Sequence, residues 1–112
     1  MGFLATFNRQ MYLTAYVNNL QSQLNDITAQ KLSLTEDITK VISSINDLAN
    51  PDSPAVKKLE ARKVELEHLD KKLDIEMQKI QTKLQAATTE MQSGQQALQQ
   101  NVQRSFTYNL GS

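Results

Sequence analysis

A heptad pattern of apolar residues runs through most of this chain and is interrupted once, near the middle. Between Leu13 and Leu48, eleven positions follow one another at alternating steps of four and three residues, and ten of them are apolar. This spacing is typical of a helix that packs along its length against another helix. The exception is Lys31, which we interpret as a snorkelling side chain or a polar residue that fixes the register. The first seam consists of Leu13, Val17, Leu20, Leu24, Ile27, Lys31, Leu34, Ile38, Val41, Ile45 and Leu48.

The apolar pattern resumes in the second half of the chain. Its predicted seam consists of Val56, Leu59, Leu66, Leu69, Leu73, Met77, Ile80, Leu84, Ala87, Met91, Gly94 and Leu98. From Leu66 to Met77 the steps are three, four and four, and an eleven-residue span of this kind predicts a stutter that straightens the helix locally. At Gly94 two interpretations stay open: a close approach of the two helices, or a weak point where the helix bends.

The interruption between the two seams is the segment Asn50-Pro51-Asp52-Ser53-Pro54. We expect Asn50 to cap the first helix, because Pro51 cannot continue it without losing a backbone donor and clashing with the preceding turn. Ser53 should act as the N-cap of the second helix, with Pro54 at its first position.

The sequence therefore predicts an all-α fold, a single antiparallel two-helix coiled-coil hairpin over residues 1–112 that assembles into a helical oligomer or filament. We place helix one at about 3–49, the turn at 50–54, helix two at about 54–104 and a C-terminal tail at 105–112. The alternative is one bent rod with a kink at the prolines.

Charge is balanced overall but spread unevenly. Lys plus Arg and Asp plus Glu are twelve each, so the chain lacks the basic excess of a nucleic-acid-binding protein, and no nucleic-acid partner is expected. Residues 52–83 carry eight basic and seven acidic side chains. Residues 1–25 carry only Arg9, and residues 84–112 carry only Glu90 and Arg104. The two ends of the chain are therefore nearly free of charge.

No constellation of catalytic or metal-binding residues is visible. The chain has no cysteine, which removes thiolate metal sites and thiol catalysis. The single histidine, His68, lies in a charge-rich stretch without a second histidine to complete a metal site, and we interpret it as a solvated surface residue. We expect neither enzymatic activity nor a cofactor.

All six aromatic residues lie near the two ends, so a hairpin brings them together. A two-helix hairpin has too little chain to bury them, and glutamine-rich neighbours can leave water at lower cost than charges can. We therefore expect a homo-oligomer. Phe3 and Leu13 fall on the projected seam, whereas Leu4, Phe7 and Met11 are offset from it by one position. The candidate subunit interface consists of Phe3, Leu4, Phe7, Met11, Tyr12, Tyr16, Phe106 and Tyr108.

The segment Asn50-Pro51-Asp52-Ser53-Pro54-Ala55 resembles a turn found in the needle-forming subunits of type III secretion systems. In that family, prolines bound a Ser/Asp turn and a small residue follows it. The layout of the whole chain is more loosely similar to that of flagellar axial proteins. In the needle family, hairpins stack into a hollow filament through their terminal segments. The resemblance implies a structural, self-assembling subunit of an extracellular or cell-surface filament. The first residues lack the basic and then apolar order of a Sec signal, so we expect a non-Sec route.

Two other hypotheses remain. The first is a cytoplasmic coiled-coil adaptor, such as a secretion chaperone or stalk, that binds a partner protein through the aromatic end. The second places the N-terminal amphipathic segment on a membrane surface. Membrane contact is not expected, because Arg9 is the only basic residue of that segment.

Overall fold

The computed structural model describes residues 2–48 and 50–111, with side chains up to Arg104. Helix α1 spans Phe3–Asp47 and helix α2 spans Pro54–Gly111, and no strand occurs within the described residues. The two helices pack against each other as an antiparallel hairpin. The predicted all-α hairpin is confirmed, and the alternative of one bent rod does not hold.

The turn between the helices is built around its two prolines. The Ser53 hydroxyl accepts a hydrogen bond from the Val56 amide (3.2 Å), which makes Ser53 the N-cap with Pro54 at the first helical position. Asn50 has a different role from the expected helix cap. Helix α1 already ends at Asp47, whose carbonyl would clash with the ring of Pro51 if the helix continued. The Asn50 side chain lies beyond this end and accepts a hydrogen bond from the Asp52 amide (3.1 Å).

The second helix is longer than expected. It continues to Gly111, whereas a tail was expected to begin at residue 105. Residues 105–110 contain neither proline nor glycine, so nothing in the backbone stops the helix before Gly111, and glycine is the residue that most often follows a helix end.

The chain divides into two compact units, each containing a stretch of both helices. The terminal unit comprises Met1–Gln23 and Ile80–Ser112, and the turn-proximal unit comprises Leu24–Lys79. Each unit has a seam of inward-facing residues between its helices, and the two seams differ in composition.

In the turn-proximal unit the seam follows an unbroken heptad spacing. Ile27, Val56 and Leu66 are buried. The predicted stutter does not occur, because Leu69 is 44% exposed and its neighbour Asp70 takes the half-buried position. The inward positions of α2 are Val56, Leu59, Lys63, Leu66, Asp70, Leu73 and Met77, which alternate steps of three and four.

Asp70 replaces Leu69 in the seam because it has a partner on the other helix. The Lys31 ammonium lies 3.0 Å from the Asp70 carboxylate and also contacts Asp74. The hydrogen bonds to Asp74 and Asp70 raise the pKa of Lys31 above its ordinary value. The structure shows that Lys31 is paired with carboxylates across the seam, which fits the interpretation of a residue that fixes the register.

Candidate interaction surface

The terminal unit has an apolar seam that becomes polar towards the chain ends. Leu13, Leu20, Ile80 and Ala87 are buried between its helices. Stepping back from Leu13 by three and then four residues reaches Gln10 and Thr6, and both of these polar residues are also buried, at 9% and 7% exposure. The first turns of α1 thus direct polar side chains towards α2.

Gln10 fits between the helices because glycine lies opposite. Its side-chain nitrogen donates a hydrogen bond to the Met91 carbonyl (2.9 Å), and a Cβ atom on Gly94 would lie only 2.1 Å from the Gln10 Oε1 atom. Of the two interpretations of Gly94, close approach is therefore the one that the structure shows. The Oε1 atom is buried and has no hydrogen-bond partner among the described residues. A buried acceptor without a partner destabilises a fold by about 1–3 kcal/mol.

The larger apolar residues of the same turns are exposed. Leu4 is 69% exposed and Met11 60%, and Phe3, Phe7 and Tyr12 are also exposed. Tyr16 is half-buried, and the side chains of Phe106 and Tyr108 lie outside the described residues. An arrangement with glutamine and threonine inside and leucine, methionine and phenylalanine outside is the reverse of what a monomeric helix pair favours.

The exposed aromatic residues form two separate clusters. The rings of Phe3 and Phe7 are stacked with centroids 6.2 Å apart, and Phe3 lines a shallow cavity of about 450 Å³ with Leu98 and Val102. The rings of Tyr12 and Tyr16 are stacked at the same centroid distance. Among the described residues of the predicted interface, the aromatic rings therefore stack in two pairs.

The tyrosine cluster is bordered by charge. The Arg9 guanidinium lies 5.2 Å from the centroid of the Tyr12 ring and 2.8 Å from the Glu90 carboxylate. Together with Lys83 and Ala86, these residues line a groove of about 350 Å³. Exposed ion pairs and cation–π contacts each contribute about 1 kcal/mol or less, so this cluster orients side chains more than it stabilises the hairpin.

Neither a metal site nor a membrane span occurs within the described residues. No cluster of three or more His, Asp or Glu side chains that could hold a metal ion occurs within residues 2–48 and 50–104. His68 is exposed, in keeping with its interpretation as a surface residue. Within the described part of the chain, no helix has an apolar stretch of the length and hydropathy that crossing a membrane requires.

Comparison of the chain with protein-family models, with curated protein sequences and with solved structures gives no match. The function is therefore inferred from the surface of the molecule. Thr6 and Gln10, which with Gly94 form a polar level of the seam, are the residues that the sequence did not single out. Extending the heptad spacing back from Leu13 would have found both.

Proposed function

We propose that this protein is a structural, self-assembling subunit whose copies join through the terminal unit into a helical filament. The observation that carries the proposal is the inverted first turns of α1, where Thr6 and Gln10 are buried and Leu4 and Met11 are exposed. Apolar side chains held in water lower the stability of a lone hairpin, and burial against another copy recovers that loss.

The exposed area of the chain supports association. It amounts to 8490 Å², whereas a compact monomer of 12.6 kDa exposes about 6,200 Å². The difference exceeds the roughly 800 Å² that each partner contributes to a standard interface. One copy therefore has enough excess surface for two contacts, the minimum that an open filament needs.

The type of filament is inferred from the turn. The segment from Asn50 to Ala55 resembles the turn of type III secretion needle subunits, and the N-cap geometry of Ser53 and Pro54 fits a hairpin of that kind. We therefore propose a needle-like filament that acts outside the cell or on its surface.

A second candidate function is a coiled-coil adaptor that binds a different protein. The groove beside Tyr12 and Tyr16 supports it, because aromatic walls with Arg9 and Glu90 at the rim suit an inserted side chain of a partner. In that case the charged turn-proximal unit stays in solvent and the protein works in the cytoplasm.

A matched pair of double variants tests the filament. Leu4→Ser with Met11→Ser removes exposed apolar side chains from the terminal unit. Leu32→Ser with Val64→Ser removes two that are equally exposed, at 64% and 66%, from the turn-proximal unit. We expect wild-type protein and the Leu32/Val64 variant to form uniform fibres in negative-stain micrographs, and the Leu4/Met11 variant to sediment as a monomer with unchanged helical circular dichroism.

Two results would contradict this proposal, the first its contact and the second the filament itself. Fibres formed by the Leu4/Met11 variant would show that these residues are not in the contact. Wild-type protein that stays monomeric at high concentration, and binds another protein through the tyrosine groove, would favour the adaptor.

A further inference from the structure

The terminal unit has two flanks that differ in charge. Arg9 and Glu90 each directly precede a seam residue, Gln10 and Met91, and their side chains meet at 2.8 Å. Residues that precede seam positions therefore line one flank of this helix pair, and residues that follow seam positions line the other. The first flank, which we call the tyrosine flank, also holds Tyr12, Tyr16 and Lys83.

The opposite flank contains no charged residue. We call it the charge-free flank. All of its members are exposed, and they follow seam positions at alternating steps of three and four. On α1 and then α2 it consists of Leu4, Phe7, Met11, Thr14, Asn18, Gln21, Gln81, Gln85, Thr88, Gln92, Gln95, Gln99 and Val102.

This asymmetry has a direct physical meaning. The charged residues of the terminal unit are Arg9, Lys83, Glu90 and Arg104, and each directly precedes a seam position in the heptad spacing. An exposed helix surface in water normally carries charged as well as uncharged polar residues at its outward positions. A flank of thirteen exposed positions without one is suited to leaving water, because amides and hydroxyls are desolvated at lower cost than ammonium or carboxylate groups.

We propose that the charge-free flank is the face on which a second copy of this chain docks. The inference rests on the proposed function and names the contact that assembly uses. Leu4, Phe7 and Met11 supply the apolar anchors at one end of the flank, and the glutamine rows of α2 supply hydrogen bonds along the rest.

The flank itself indicates an identical partner. Glutamine amides donate and accept hydrogen bonds equally, so rows of them can pair with rows of the same kind. A charged partner surface would leave its own ions without counterions there. The exposed area in excess of a compact monomer is also of the size that such a contact buries.

The test introduces one positive charge on either flank. Gln95→Lys and Gln21→Lys place it on the charge-free flank. Gln100→Lys and Gln23→Lys place the same charge on the tyrosine flank, because these glutamines precede Asn101 and Leu24. All four glutamines are exposed, so the variants share side-chain type, net charge and burial and differ only in flank.

We expect sedimentation velocity across a concentration series to separate the two pairs. Wild-type protein, Gln100→Lys and Gln23→Lys should associate alike. Gln95→Lys and Gln21→Lys should raise the apparent Kd by about tenfold or more, because a lysine buried without a partner opposes the contact. Circular dichroism and urea midpoints should be the same for all five proteins.

The possible failures are distinguishable. If Gln95→Lys and Gln21→Lys associate like wild-type protein, the flank is not the contact, although assembly itself stands. If wild-type protein stays monomeric, both the flank assignment and the proposed function are overturned. Monomers that co-sediment with neutral phosphatidylcholine vesicles would assign the flank to a membrane surface and overturn the docking of a second copy.

Discussion

The terminal unit and the turn-proximal unit use the same heptad spacing but distribute polarity in opposite ways. The turn-proximal unit has aliphatic residues inside and most of the charges of the chain outside, and its inward-facing Lys31 is paired with Asp70. The terminal unit has Gln10 and Thr6 inside, and outside it has the charge-free flank, on which Leu4, Phe7 and Met11 are exposed.

The difference indicates which of the two units is arranged for the stability of a single hairpin. Aliphatic packing with paired charges stabilises a hairpin without help, so the turn-proximal unit has what a monomer requires. The terminal unit buries polar side chains and leaves Leu4, Phe7 and Met11 exposed, as the proposed assembly requires.

The largest effect should come from the seam of the turn-proximal unit. Leu66 is 2% exposed, so Leu66→Ala should lower the free energy of unfolding by about 2–5 kcal/mol. Leu69→Ala, three residues away on the exposed side, should lower it by less than about 1 kcal/mol. Urea denaturation measures both. Equal losses of stability in the two variants would indicate that Leu69 lies in the seam, as the predicted stutter requires.

The effects of Lys31 and Asp70 on stability should depend on each other. Asp70→Leu leaves Lys31 without its seam partner and should lower the urea midpoint, as should Lys31→Met, which leaves Asp70 half-buried beside methionine. The double variant, Lys31→Met with Asp70→Leu, should recover or exceed the wild-type midpoint. A double variant weaker than either single one would argue against the pair as the reason for the polar seam positions.

The pair also predicts an alkaline loss of stability. The pKa of Lys31 is raised in the folded state, so its contribution is fully present below the unfolded lysine pKa of about 10.4 and is lost as pH rises through the higher folded value. Urea midpoints of wild-type protein should therefore fall more steeply above about pH 10 than those of Lys31→Met. Parallel curves for the two proteins would contradict this account.

A smaller effect is expected at the polar level of the terminal unit. Gly94→Ala gains about 1 kcal/mol of helix propensity but displaces the Gln10 amide from Met91, so its net effect in wild-type protein should be close to zero. In a Gln10→Ala background the same change should stabilise by about 1 kcal/mol. A double-mutant cycle measured in urea gives the coupling, and additivity within error would show that the two residues do not meet.

The smallest effect concerns the Arg9–Glu90 pair on the tyrosine flank. Arg9→Gln should lower the free energy of unfolding by less than about 1 kcal/mol, because both side chains are exposed. The loss should disappear in 1 M salt, where screening removes most of the attraction. A loss that persists in salt would show that the Arg9 side chain contributes through packing on Tyr12.

The sequence was sufficient to predict the hairpin, because two aliphatic seams around a proline turn admit few other folds. It was not sufficient to decide whether Leu69 or Asp70 faces the other helix. Hydropathy favours the leucine, and only the position of Lys31 on the other helix makes the aspartate the inward residue. The buried Gln10 was missed for a related reason, since a glutamine fits a seam only where the opposite residue has no side chain, as at Gly94.

The Lys31 ammonium between Asp70 and Asp74 also affects how the two helices align along their length. A slip of one helix along the other by seven residues would keep the heptad spacing of both seams, so the spacing alone does not exclude it. Lys31 would then face Met77 in one direction and Lys63 in the other, and it would lose both carboxylates. The salt bridge thus favours the observed alignment of the two helices over one displaced by a heptad, and it does so within a single molecule.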